Sequence, residues 1–443
     1  MDDGSLMCWG SNDDGKLGML KLPNTYATSP VGPVNLGSGR TAKAVSLGSE
    51  SHTCAILDDD TLKCWGDGGY GRLGYGDYTQ REDPEATAVV NLGSGHTAKA
   101  VSAGRQHTCA ILDDDTLKCR GRGSNGRLGY GDTTDRNAPE ATAVVNLGAG
   151  RTAKALSLGD SHTCAILDDD TLKCWGANNN GQLGDTSTTT RTSPVAVDVG
   201  SGRAAKALSL GYDHTCAILD DDTLKCWGYN NYGQLGYGDT DDRGDATGEM
   251  GDALLAINLG TGRTAKAVSA GYYHTCAILD DDTLKCWGNG GLGRLGYGDN
   301  TQREAPEATA VVNLGSGRTA KAVSAGYAHT CAILDDDTLK CWGSNYNGRV
   351  GVGSSDELIW DPTEVKFDGS SSSGGSAGAP GPAGPKRDER TFMVATLIVA
   401  VIWPVVLYFV RHVHPGTLTA RLRQLVGAKP RLLDQPIDVE SRR

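Results

Sequence analysis

The chain has 443 residues, with 42 Lys and Arg against 54 Asp and Glu, for a net charge of −12. That balance argues against a nucleic-acid surface, which needs a basic face. Sixty-two glycines beside three phenylalanines suit many tight turns joining small-residue strands, and thirteen cysteines recur at regular spacing.

The chain opens inside a repeat. Met1-Asp-Asp-Gly-Ser-Leu-Met-Cys-Trp-Gly10 matches the end of a unit that reads in full as His52-Thr-Cys-Ala-Ile-Leu-Asp-Asp-Asp-Thr-Leu-Lys-Cys-Trp-Gly66. Further full copies begin at His107, His162, His214, His274 and His329, and the second cysteine of each unit returns every 52 to 60 residues. A fixed period of this size signals a solenoid or a propeller. Within the unit, Cys54–Leu57 and Thr61–Cys64 are short β-favouring runs separated by three aspartates. Three-residue hairpin loops end in a left-handed residue, which Asp tolerates and Gly prefers, and the first copy carries Gly4 there. That loop sets Ile56 opposite Leu62, Ala55 opposite Lys63 and Cys54 opposite Cys64, within disulfide reach.

The predicted bridges are therefore Cys54–Cys64, Cys109–Cys119, Cys164–Cys174, Cys216–Cys226, Cys276–Cys286 and Cys331–Cys341. Free buried thiols are the alternative; zinc is disfavoured because nothing gathers four ligands. Bridges in this number imply an oxidising compartment. Cys8 has no partner.

A strand over Ala42–Leu47 precedes the hairpin and another over Ala88–Leu92 follows it. Four antiparallel strands per repeat make one propeller blade, and no segment shows helical periodicity. Residues 1–367 therefore read as an all-β propeller of seven blades, the first incomplete; a six-bladed ring with a loose leading hairpin is the alternative. The incomplete first unit and the lack of a signal peptide lead us to expect a natural chain that extends upstream by on the order of forty residues or more.

Numbering the strands A to D, the B–C aspartates and the D–A loop share one face, where each unit places Asp beside Arg or His and Lys. That reads as surface pairing and turn chemistry rather than a calcium ring. On the opposite face the A–B turns and C–D loops stop agreeing between copies. Tyr70, Arg105, Gln106, Arg122, Asn179, Tyr212, Tyr229, Tyr232, Tyr272, Tyr273, Tyr327 and Tyr346 lie there. Such residues at loop tips make adaptable binding surfaces for a protein or a glycan; drift at exposed loops is the plain alternative.

Three local features stand out. Arg120 replaces the repeat tryptophan and, with Arg105, Arg122 and Arg127, suggests a basic spot or a tolerated slip. Arg243-Gly-Asp245, in the longest insertion, has the form of an adhesion tripeptide that also arises by chance. The repeated histidines read as structural. No nucleophile–base pair, phosphate loop or metal-ligand spacing is present, so we expect neither enzymatic activity nor a cofactor.

Beyond residue 367 the composition changes. Residues 368–390 form a Gly/Ser/Pro spacer, and residues 391–410 run without a charge over the length of a bilayer-spanning helix. Residues 411–443 are basic. The positive-inside tendency predicts a single-pass membrane protein with its propeller extracellular or lumenal and its C-terminus cytosolic.

The matches to H-T-C-A-x-L…C-W-G-x-N-x-x-G-Q-L-G, best at Asn178–Gly184 and Asn230–Gly236, resemble the regulator-of-chromosome-condensation repeats in their cysteine-containing variety. Arg replaces Gln at Arg72, Arg127, Arg294 and Arg349. The resemblance implies a propeller, and by family analogy guanine-nucleotide exchange on a small GTPase, against which the predicted disulfides argue. A purely structural cell-surface role is the third reading. A shared fold does not choose among them.

Overall fold

The computed structural model describes residues 4–19 and 26–367. Each full repeat lays its A, B and C strands side by side as an antiparallel sheet, and the described residues hold six such sheets and a seventh of two strands. Blade 1 has Cys8–Ser11 and Tyr26–Val31; blade 2 has Ala42–Leu47, His52–Leu57 and Leu62–Gly66. Blade 3 comprises Ala98–Ala103, His107–Leu112 and Leu117–Gly121. In blade 4, Ala153–Leu158, His162–Leu167 and Leu172–Gly176 are followed by Arg191–Val197. Blades 5 and 6 run Ala205–Leu210, His214–Leu219, Leu224–Gly228 and Ala265–Ala270, His274–Leu279, Leu284–Gly288. Blade 7 ends the ring with Ala320–Ala325, His329–Leu334, Leu339–Ser344 and Leu358–Glu364.

The aspartate loop sets the register. Asp60, its third residue, has φ +65° and Gly4 has φ +73°, the left-handed conformation such loops require. Asp59 accepts from the Thr61 amide at 3.1 Å and its hydroxyl at 2.6 Å, locking the turn. Cys54 consequently faces Cys64, Ala55 faces Lys63 and Ile56 faces Leu62. The same register joins all six predicted cysteine pairs, with Cα atoms 4.0–4.1 Å apart, and Cys8 is a free, buried thiol.

The expected fourth strand is only partly realised. Blades 4 and 7 have it, but Ala88–Leu92 and its counterparts in blades 3, 5 and 6 are not strands. There the chain touches the C strand through a two-residue bridge, Gly66 to Arg81 in blade 2, and one further bond, Val90 N to Leu62 O at 2.7 Å. Prolines stand between these contacts: Pro139 and Pro306 open 3-10 turns in blades 3 and 6, and Pro84 lies at the same point of blade 2. Proline does not break the pairing, since Pro194 and Pro362 lie inside the D strands that do form. Between the two contacts the C strand steps from Gly66 to Leu62 while the partner segment runs from Arg81 to Val90, against Arg191 to Val197 in blade 4, so the surplus residues loop away from the ladder.

Most seams between blades repeat one bond. The indole N–H of Trp175 donates to the Arg127 carbonyl of the preceding blade, and Trp342 to Arg294, each at 3.0 Å. The two seams that flank blade 1 use the same bond, Trp65 to Lys16 and Trp9 to Arg349. Gly353 N to Thr28 O, at 2.8 Å, adds a backbone link from blade 7 to blade 1. Blade 1 thus occupies a full position in a closed ring of seven, and the alternative of a loose leading hairpin fails.

A second bond runs along the inner strands. His52, His107, His162, His214 and His274 each meet, at 2.9–3.0 Å, the threonine hydroxyl of the next blade. Among the described residues blade 1 has only its outer strand pair. Leu47, on the neighbouring blade, is accordingly 55% exposed, where its counterparts Leu158 and Leu210 are 7% exposed.

No helix among the described residues is long and apolar enough to cross a membrane. The spacer, the charge-free run at 391–410 and the basic tail lie outside the described residues.

Candidate interaction face

A–B turns and C–D loops gather on one face because each C strand leaves its blade bonded to the A–B turn. Asp67 N donates to Ser51 O, Arg122 N to Gln106 O and Tyr229 N to Asp213 O, at 2.8–2.9 Å. In blades 3, 4 and 6 the Arg or Gln six residues beyond the C-strand glycine then crosses to the next blade. Arg127 Nη1 reaches the Asp160 carbonyl at 3.1 Å, Gln182 Nε2 the Asp213 carboxylate at 2.9 Å, and Arg294 Nη1 the Tyr327 carbonyl at 3.3 Å.

Across blades 2 to 4 this face is a charged network. The Glu50 carboxylate pairs with the Arg105 guanidinium and accepts from Gln106 at 3.1 Å. Gln106 in turn accepts from Arg122 at 2.8 Å, and Arg122 lies 4.9 Å from the Tyr70 ring centroid. Arg72 pairs with Asp67 at 3.1 Å. Four of the expected residues, Tyr70, Arg105, Gln106 and Arg122, therefore belong to one sector.

Across blades 5 to 7 the face is aromatic. Tyr212 stacks on Tyr272 with centroids 4.0 Å apart, and Tyr272 on Tyr327 at 4.2 Å. Outside that row Tyr273 meets Tyr272 at 4.4 Å, Tyr232 at 4.8 Å and Tyr229 at 5.8 Å. Six of the twelve expected residues thus form one contact cluster, and Tyr327 at its end is 51% exposed. Asn179 and Tyr346 lie apart from it: Asn179 is exposed in the blade 4 loop, and Tyr346 packs near Arg349 at 5.5 Å.

Two carboxylates that the sequence reading left unassigned mark the border of the sectors. Burial, then the charge of Asp160, pushes Asp213 up to about 6, and burial raises Asp160 as well. Both occupy A–B turn positions, so the copy-to-copy variation that singled out the tyrosines was the signal for them too.

One alternative is overturned, and one chance motif is explained. Arg120 is no part of a surface basic spot: it is 1% exposed and fills the seam where other blades put tryptophan. Arg105, Arg122 and Arg127 do gather on the face. The Arg243-Gly-Asp245 tripeptide is repeat architecture, because Arg243 grips Asp239 with both amino groups at 2.7–2.9 Å and stacks 4.2 Å from Tyr237. Arg81 and Arg136 do the same with Asp77 and Tyr75, and with Asp132 and Tyr130.

On the opposite face the expected pairing is present: Arg40 bonds Asp58 at 3.1 Å and Lys43 bonds Asp60 at 2.7 Å, all well exposed. His96 takes the arginine's place in blade 3, with Asp113 at 2.8 Å and Asp114 at 4.0 Å.

Seven radially arranged antiparallel sheets with one variable loop face define a β-propeller. Models of the regulator of chromosome condensation (RCC1) repeat match residues 42–72, 98–127, 153–182, 205–234, 265–294 and 320–349, with longer matches at 59–111, 169–218 and 281–333. The chain belongs to the RCC1 repeat family. It is 31% identical over 324 residues to the ultraviolet-B receptor UVR8 of Arabidopsis thaliana, covering 73% of this chain and 69% of that protein. It is also 25% identical to the human E3 ubiquitin-protein ligase HERC2 over 359 residues, 80% of this chain and 7% of the ligase. Yeast RCC1 (Prp20), solved bound to Kap60, superposes with a TM-score of 0.67 at 20% identity, over 82% of this chain and 83% of that one. At that identity the likeness speaks to the fold alone.

Proposed function

We propose that this chain is a membrane-anchored, non-enzymatic propeller that captures a protein partner on its A–B/C–D face, with the tyrosine cluster as anchor and the charged sector setting orientation. The contact cluster of Tyr212, Tyr229, Tyr232, Tyr272, Tyr273 and Tyr327 carries this reading. Tyrosine offers a large, stiff contact area at small entropic cost, and its hydroxyl keeps the patch soluble when empty. Interface hot spots concentrate in such aromatic residues. A protein is favoured over a glycan because aromatic and charged sectors adjoin across blades 2 to 7, a breadth that suits an extended interface. The membrane anchor rests on the charge-free run at 391–410 and the arginines after it.

The test compares wild type with a variant carrying Tyr229→Ala, Tyr232→Ala, Tyr272→Ala and Tyr273→Ala. Cross-linking on intact cells should recover a partner with the wild type that the variant loses, because each truncated anchor costs about 2 kcal/mol or more, roughly thirtyfold in affinity. Equal recovery at equal melting temperature would move the site off this face. Recovery that disappears after enzymatic deglycosylation would assign a glycan instead.

A further inference from the structure

The repeat treats its bridges alike except at one seam. The bridge of each blade packs against the tryptophan of the next: Cys109 and Cys119 share a core cluster with Trp175, Cys164 and Cys174 with Trp227, and Cys276 and Cys286 with Trp342. Cys331 and Cys341 meet Trp9 across the seam that closes the ring. Opposite Cys54–Cys64 the tryptophan is replaced by Arg120. Its Nε keeps the indole's bond to the carbonyl before the seam, Arg72 O at 3.2 Å. Its Nη2 lies 2.9 Å from Cys64 Sγ and 3.9 Å from Cys54 Sγ.

This guanidinium is buried and has no carboxylate within ion-pair distance among the described residues. Burial pulls it down to about 10, so it remains a cation at neutral pH. Tyr75 and Tyr130, which feel its charge, are themselves pushed up to about 12 and stay neutral, and His52, which also feels it, is held neutral chiefly by burial. A buried, unpaired cation is costly, and the atom best placed to compensate it is a sulfur that can carry negative charge only once the bridge opens.

We propose that Cys54–Cys64 is a redox-active bridge, the most readily reduced of the six, whose open form is held by a Cys64 thiolate paired with Arg120. The co-reactant is a dithiol. One of its thiolates attacks Cys54 Sγ, the S–S bond breaks, and the electron pair leaves on Cys64 Sγ beside the guanidinium. The second thiol then displaces Cys54 from the mixed disulfide. Overall the dithiol becomes a disulfide, Cys54 takes up one proton as a thiol, Cys64 remains a thiolate, and the other proton goes to solvent. A more stable leaving thiolate favours reduction. All six bridges are buried, with cysteines 0–5% exposed, so access requires opening of a blade in every case; what Arg120 alters is the equilibrium.

Five near-identical bridges in the same chain serve as internal controls. The full-length protein is equilibrated over graded ratios of reduced to oxidised dithiothreitol, quenched with N-ethylmaleimide and mapped by tryptic peptides, which differ for every cysteine. Cys54 and Cys64 should become labelled at a ratio at least tenfold lower than the other ten bridged cysteines, a difference of about 30 mV for a two-electron couple. Arg120→Trp, which restores the repeat residue, should bring this bridge into line with the rest; Arg120→Met, apolar and of similar length, should do the same. Labelling of Cys64 in the reduced wild type should persist to lower pH than in either variant. Simultaneous reduction of all six bridges in the wild type, or a Cys54–Cys64 bridge that still opens first in both variants, overturns the proposal.

Discussion

Mild acid should unfold this ring, and the histidine seams set the size of the effect. At each seam the threonine hydroxyl donates to a backbone carbonyl, as Thr163 does to Arg127 O at 2.9 Å and Thr215 to Gln182 O at 2.8 Å. It must therefore accept from the histidine, which fixes the Nε2–H tautomer and leaves Nδ1 bare; Nδ1 has no partner at any of the six histidines. Protonation would drive an N–H into a buried site without an acceptor. Burial accordingly holds His162 and His214 at about 3 and His52, His107 and His274 well below the usual imidazole value.

The unfolded chain titrates near 6.5, so below that pH it binds protons that the folded ring refuses, and stability falls with pH toward about 3. His329 is held at about 4 in the same way, so at pH 5.5 each of the six histidines costs on the order of 1 kcal/mol and together they cost several kcal/mol, comparable with the whole stability of many domains. Asp213, raised to about 6, shifts the opposite way and offsets less than about 1 kcal/mol. The Asp77 and Asp132 pairs, held at about 2, are lost only below about pH 4, a separate window. Urea titrations followed by tryptophan fluorescence between pH 7.5 and 5 should give a slope that rises toward about five protons, six from the buried histidines less about one that the folded state takes up on Asp213. His162→Gln, which can still donate to Thr215, should lower that slope by one. A transition that stays flat to pH 5 and collapses only below pH 4 would refute the argument and leave acid lability to the carboxylates.

Two further outcomes follow from the same geometry and from the sequence. Gly159→Ala should destabilise the ring by about 1–3 kcal/mol in the same urea assay, because a Cβ there would sit 2.4 Å from His162 Cε1 and 2.7 Å from the Gly211 carbonyl. On sealed membranes, protease added outside should leave the propeller protected only if it is lumenal, and an epitope at Arg443 should report the opposite side. Propeller and C-terminus on the same side would remove the proposed span.

Local chemistry explains why the blade was legible in the sequence. A hairpin register follows from loop length and from which residue tolerates positive φ, so Asp58–Asp60 alone specified Cys54 opposite Cys64 and five equivalent bridges. The C–D region was less legible because the number of residues between its two contacts with the C strand, not their composition, decides whether it pairs. The run from Arg81 to Val90 is longer than the run from Arg191 to Val197, so Ala88–Leu92 kept its β-favouring residues while losing its pairing. On the variable face, comparison of the copies singled out these turns, yet it could not say that six of the twelve candidate side chains would touch while Asn179 and Tyr346 would not.

By itself, then, the sequence determined everything that depends on neighbours along the chain: the repeat, its strands A to C, the disulfide register and the two loop faces. Only the tertiary structure decided what depends on neighbours across a seam, some 33 to 66 residues away. Such partners are set by how one blade is rotated onto the next, and no local spacing encodes that rotation. It turned Arg120 from a surface charge into a buried cation against Cys64, placed each histidine on the next blade's threonine, and stacked Tyr212, Tyr272 and Tyr327 from three blades into one row.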